Sequence, residues 1–204
     1  MQRILFALFT LALSLTASAA RPDLSGIAAN VKANPAAYTA LLNRFNAPDS
    51  TLTAEEVATV YYGAPAAGMA PAADYSEINN LRLQRRFADM LALSTEALKA
   101  DPVSLTLLFR TFAGAYNSND AATVESARVR INQLCDAIFA SGSGVTEAEP
   151  FCVVSEADVE PFLVNYLYVD HIIGMAHQGP LVVAQVQLPG REEPAYLYFL
   201  PTAR

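Results

Sequence analysis

Phe87-Ala88-Asp89-Met90-Leu91-Ala92-Leu93-Ser94-Thr95-Glu96-Ala97-Leu98-Lys99-Ala100-Asp101-Pro102 is the stretch that decides the fold. Phe87, Met90, Leu91 and Leu98 recur at helical spacing, and Asp101-Pro102 closes the segment because proline cannot continue a helix. Two further helices follow the same scheme. Leu105, Leu108, Phe109, Phe112 and Tyr116 mark the next, ended by Asn117-Ser118-Asn119-Asp120. Val124, Ala127, Ile131, Leu134 and Ile138 mark the third, ended by Ser141-Gly142.

The phrase Glu96-Ala97-Leu98-Lys99-Ala100-Asp101-Pro102 resembles the end of a tetratricopeptide repeat. The helix entry at Arg86-Phe87-Ala88 recurs at Asp120-Ala121-Ala122, an offset of 34 residues, which is the period of that repeat. The likeness covers roughly residues 75–141, about one and a half units, where a solenoid needs about three. A repeat-like layer of helical hairpins is therefore expected, not a full array.

Upstream, Leu24, Ile27 and Val31 have helical spacing. Asn34-Pro35 reads as an N-cap with proline in the first helical position, opening a helix whose apolar face is Tyr38, Leu41, Leu42 and Phe45. Thr53 with Glu56 forms a capping box ahead of Val57, Val60 and Tyr61, and Gly63 stops that helix. Residues 63–73 are rich in Gly, Pro and Ala and read as a loop. Asp74 with Glu77 offers another cap before Ile78, Leu81 and Leu83.

Downstream the pattern changes. Phe151-Cys152-Val153-Val154 is β-like, residues 155–166 carry a helical pattern weakened by Pro161, and residues 168–175 are ambiguous. Leu181–Leu188 and Ala195–Leu200 flank a Pro/Gly turn, which is a β-hairpin signal. A hairpin alone is marginal and must pack on the helices or pair further. The expected fold is a helix-dominated α+β domain: a helical part over residues 21–145 and a mixed part over 146–204 with a C-terminal β-hairpin or small sheet.

The first 20 residues stand apart. One cation, Arg3, precedes an apolar run from Ile4 to Leu15 and the small residues Thr16-Ala17-Ser18-Ala19-Ala20. This is the layout of a secretory signal, cut after Ala19 or Ala20. The expected mature chain is a single exported domain, periplasmic or secreted, with no later membrane span. The full chain has a net charge of −7, with 13 basic and 20 acidic residues, and loss of Arg3 takes the mature chain to −8. Phosphate backbones are bound by Lys and Arg, so nucleic acid is not an expected partner.

Export places Cys135 and Cys152 in an oxidising compartment. They either pair, closing a loop that contributes about 3 kcal/mol, or remain two buried thiols.

Leu42-Asn43-Arg44-Phe45, Thr51-Leu52-Thr53-Ala54-Glu55-Glu56, Val60-Tyr61-Tyr62-Gly63, Ala140-Ser141-Gly142-Ser143-Gly144 and Tyr196-Leu197-Tyr198-Phe199 occur in an order that resembles a bacterial family of exported proteins, domain of unknown function four-nine-one-nine. The resemblance spans nearly the whole mature chain and implies no activity, so it assigns no functional residue.

Several groups invite chemistry. Ser141-Gly142-Ser143-Gly144 could turn backbone N–H groups toward an anion, or could simply end a helix. Asp170, His171 and His177 have metal-binding side chains but no compact zinc spacing. Cys152 with a histidine and Asp170 would supply a nucleophile, base and orienting acid if the fold joined them. Tyr61 and Tyr62 stand at a helix end and could form a binding edge, or could pack inward. Arg82, Arg85 and Arg86 could clamp an acidic partner, or face solvent. No cofactor is expected. Two functions follow: a non-enzymatic protein-interaction module of the cell envelope, or an extracytoplasmic hydrolase or small-molecule-binding protein.

Overall fold

A computed structural model describes residues 21–69 and 74–203, so the signal read over residues 1–20 lies outside the described residues. The protein is α+β and helix-dominated. The helices are α1 (Leu24–Ala33), α2 (Pro35–Asn46), α3 (Ala54–Gly63), α4 (Ser76–Leu83), α5 (Phe87–Ala97), α6 (Leu105–Asn117), α7 (Ala121–Phe139) and α8 (Val159–Asn165). The strands are β1 (Phe151–Val153), β2 (His171–Gln178), β3 (Leu181–Gln187) and β4 (Ala195–Pro201). No helix among the described residues is long and apolar enough to cross a membrane.

Side-chain caps open four of the eight described α-helices, at Asp23, Thr53, Ser104 and Asp120. Thr53 accepts from the Glu56 N–H while the Glu56 carboxylate accepts from the Thr53 N–H, the reciprocal pair expected at the start of α3. Arg44 then ties Glu56 and Asp49 together at 2.7 and 2.8 Å, joining α2 to that cap. Thr53→Ala is expected to cost about 1 kcal/mol, read as a lower urea midpoint with an unchanged slope.

Other starts depart from expectation. Asn34 occupies the cap of α2 with Pro35 behind it, but its side-chain amide donates back to Asn30 in α1 and makes no capping bond to α2. At α4 the cap position is Tyr75. Asp74 instead folds a tight turn by accepting from the Ser76 N–H and hydroxyl. The loop after Gly63 contains a 3-10 turn, Pro65–Ala67. Pro161 does not break α8, because it falls in the first turn, where its missing N–H has no helical partner to lose.

Helices α5, α6 and α7 pack one against the next, α3 and β1 lie along α7, and α1 and α2 lie along α3. Met90, Leu105, Leu107, Leu108, Leu134 and Ile138 are fully enclosed. Two residues read onto apolar faces are exposed. Leu83 is 72% exposed at the end of α4, and Tyr116 is 67% exposed, stacked on Phe112 near the end of α6.

The hairpin predicted from β3 and β4 is the inner part of a four-stranded sheet in the order β1-β4-β3-β2. The ambiguous segment supplies β2, antiparallel to β3, with a register shift between Ile172 and Gly174. β1 runs parallel to β4, pairing Phe151 with Phe199. The rings of Phe151, Phe162 and Phe199 meet with centroids 5.3 to 6.2 Å apart and join the sheet to α8. Such edge and tilted contacts add to the area these rings bury.

Candidate functional site

Tyr61 and Tyr62 do not form an exposed edge, because the last turn of α3 points both rings into the core. The Tyr61 hydroxyl donates to Asp158 at 2.8 Å and accepts from the Val154 N–H at 2.9 Å. The other Asp158 oxygen accepts from the Leu105 N–H at 2.9 Å. One carboxylate therefore ties α3, the start of α6 and the segment before α8. Burial raises the Asp158 carboxyl from 3.8 to about 7, with the Asp101 charge adding to this and the Tyr61 bond opposing it. The Tyr62 hydroxyl donates to the Cys152 carbonyl at 3.1 Å, with the Ala137 carbonyl 3.2 Å away.

Ser141-Gly142-Ser143-Gly144 is built as a joint. The Ser141 hydroxyl donates to the Ile138 carbonyl at 2.6 Å and accepts from the Cys152 N–H at 2.7 Å, so it ties the end of α7 to β1. Gly144 donates its N–H to Glu149 and accepts from Tyr198. Both backbone groups are used within the fold, not presented to an anion. Ser143 is exposed, and its hydroxyl accepts from the Val145 N–H.

The remaining candidates are scattered. Cys135 and Cys152 are buried free thiols, so of the two readings left open the structure takes the second. Burial raises the Cys135 thiol far above its ordinary range. Asp170, His171 and His177 are exposed. The Asp170 N–H donates to Gln187, and His177 Nε2 lies 3.4 Å from Glu156. The enclosed Cys152 sulfur and the exposed imidazoles do not form a nucleophile–base pair. Among the described residues no three His, Cys, Asp or Glu side chains group as metal ligands. Arg86 pairs with Asp89 on the surface, whereas Arg82 faces Arg110 across a small cleft.

A cleft of about 690 Å³ lies between α1, α3 and α7, within the range of ordinary ligand sites. Tyr62 and Ser141, both singled out from the sequence, lie on its wall. Ile27, Leu52, Val57 and Ala58 give it an apolar floor. Asp23, Glu55 and Asp136 also line it, and its described lining contains no Lys, Arg or His. Asp23 caps α1, and its bond from the Gly26 N–H holds its carboxyl below the usual range. Asp136 accepts from the Tyr166 hydroxyl at 2.7 Å. None of the three acids forms an ion pair among the described residues. Sequence spacing could not reveal this cleft, because its acids come from the cap of α1 and from α3 and α7, far apart in the chain.

A family profile described as "Domain of unknown function (DUF4919)" matches residues 25–176. No curated protein and no solved structure matches the chain.

Proposed function

We propose, starting from the fact that the chain belongs to the DUF4919 family of unknown function, that it is an exported, non-enzymatic protein-interaction module of the bacterial cell envelope. Its cleft between α1, α3 and α7 receives a basic, partly apolar segment of a partner protein. The observation that carries this reading is the cleft itself, lined by Ile27, Leu52, Val57 and Ala58 together with Asp23, Glu55 and Asp136, with no cation among its described lining. An apolar face of a partner helix would cover the floor while Lys or Arg side chains meet the acids. Export rests on Arg3, the apolar run Ile4–Leu15 and the small residues ending at Ala20. The hydrolase alternative has less behind it, since Cys152 is enclosed while His171 and His177 stand in solvent.

Fluorescence anisotropy with a labelled amphipathic Lys/Leu helix tests the proposal. The peptide is expected to bind the mature protein, to weaken as salt is added, and to lose about tenfold in affinity on Ala58→Trp or Glu55→Lys. Equal binding of the Glu/Leu counterpart, or no effect of either substitution, would refute it.

A further inference from the structure

A second feature goes beyond the interaction reading and uses a different part of the molecule. Arg130, on α7, is only 9% exposed, yet it forms no ion pair among the described residues. Its Nη2 donates to the Pro102 carbonyl at 2.7 Å and to Asn46 at 3.1 Å, and its guanidinium lies 4.9 Å over the Phe45 ring. Its Nε is buried with no hydrogen-bond partner among the described residues. Buried charges in proteins are ordinarily paired, and an orphaned donor in such a place calls for an explanation. Burial alone lowers this guanidinium to about 10, which leaves it charged at neutral pH.

Arg130 lines a cavity of about 380 Å³ between α2, α5 and α7. Leu42, Leu98 and Ala127 give it apolar lining. Its described lining contains no Asp or Glu, while Lys99, Thr95 and Ser126 stand on it. The Lys99 ammonium is held by Glu96 at the surface, so Arg130 is the cation that faces the interior. Hydroxyls and a guanidinium can all donate to an anion, and guanidinium geometry matches a carboxylate's two oxygens. The cavity shares no lining residue with the acid-lined cleft, so either site can fail without the other.

We propose that this cavity binds a small monocarboxylate with an apolar body, the carboxylate seated on Arg130 and the apolar part on Leu42, Leu98 and Ala127. The carboxylate offers the charge its counterion, and the hydroxyls of Thr95 and Ser126 complete the cradle. A free carboxylic acid and the C-terminal residue of a peptide share this chemistry.

The test uses hexanoate for the first source and N-acetyl-leucine for the second, each against its amide, with inorganic phosphate as a bare anion. Thermal shift and calorimetry are run on the mature protein. At about 10 mM at least one carboxylate is expected to raise the melting temperature saturably, and which one does so identifies the source. Both amides and phosphate are expected to do at least about tenfold worse. Arg130→Gln should abolish the shift. Because Arg130 also holds Asn46 and Pro102 and its loss can unfold the chain, Ser126→Leu is the second variant. It fills the cavity without touching those bonds, and it should weaken binding about tenfold. The proposal is overturned if neither carboxylate shifts the wild-type protein, if the amides or phosphate match the carboxylates, or if binding survives Ser126→Leu unchanged.

Discussion

Asp158→Ala is expected to destabilise the protein by about 3–5 kcal/mol, because two buried donors lose their acceptor and a void is left between them. Those donors are the Tyr61 hydroxyl and the Leu105 N–H. Tyr61→Phe is the milder cut, expected at about 1–3 kcal/mol, since it strands the Val154 N–H and removes one donor to Asp158. The same carboxyl sets a pH dependence. Its folded value lies at about 7 against an ordinary 3.8, so the native state holds a proton that the unfolded chain has released. Stability from this group is full below about 4 and is lost as pH rises through 7. Asp49 acts in the opposite sense. Bonds from Thr51 and Arg44 hold it at about 2, so its contribution is lost as the solution becomes strongly acidic. Urea titrations from pH 4 to 8 should show wild-type stability declining toward the alkaline end. Asp158→Asn, which keeps an acceptor and cannot ionise, should flatten that decline. Parallel profiles for the two proteins would show that Asp158 titrates normally.

The second large effect lies in the turn after α7. A Cβ added to Gly142 would stand 2.3 Å from the Pro150 carbonyl oxygen and 2.8 Å from that of Glu149. Backbone atoms cannot step aside as a flexible side chain can, so Gly142→Ala must push α7 away from β1. Gly144 has φ +67°, and its Cβ would lie 2.1 Å from the Phe151 ring. Each alanine is expected to cost about 3 kcal/mol or more, from forced overpacking at Gly142 and from overpacking plus left-handed backbone strain at Gly144. Ser143→Ala, between them and exposed, should stay within about 0.5 kcal/mol of wild type. Thermal melts of the three variants give the comparison. A Gly142→Ala protein as stable as Ser143→Ala would mean that the joint is looser than its contacts indicate.

What the sequence reveals about this protein follows the range over which each interaction acts. The Thr53–Glu56 box and the faces of α2, α5 and α7 are local, and spacing alone identifies them. The Tyr61–Asp158 bond spans 97 positions, and no local rule reports it. The parallel partner of β1 lies 48 positions on, past α8, β2 and β3, so the pairing of Phe151 with Phe199 is invisible to a hairpin search. Tyr61 and Tyr62 look alike as adjacent aromatics at a helix end, and only the course of the chain beyond Gly63 decides that both turn inward. One signal was present in the pattern. Arg130 falls three residues after Ala127 and one before Ile131, inside the apolar stripe of α7, where a charged residue is out of place. The cleft acids carry no such mark, because each stands on an ordinary polar position of its own helix.

The strand order β1-β4-β3-β2 also fixes a sequence in time. β4 follows every other described element in the chain, yet it occupies the interior of the sheet between β1 and β3. A chain emerging from its N-terminus can form the helical layer early, from contacts close in sequence. Until residues 195–201 arrive, however, β1 has no neighbour on its hydrogen-bonding edge and Phe151 lacks the ring of Phe199. A nascent chain halted before Ala195 therefore displays an unpaired strand edge and uncovered aromatic surface, the features that chaperones hold and that aggregate when left alone. The last of the described elements in the chain is the one that closes the sheet.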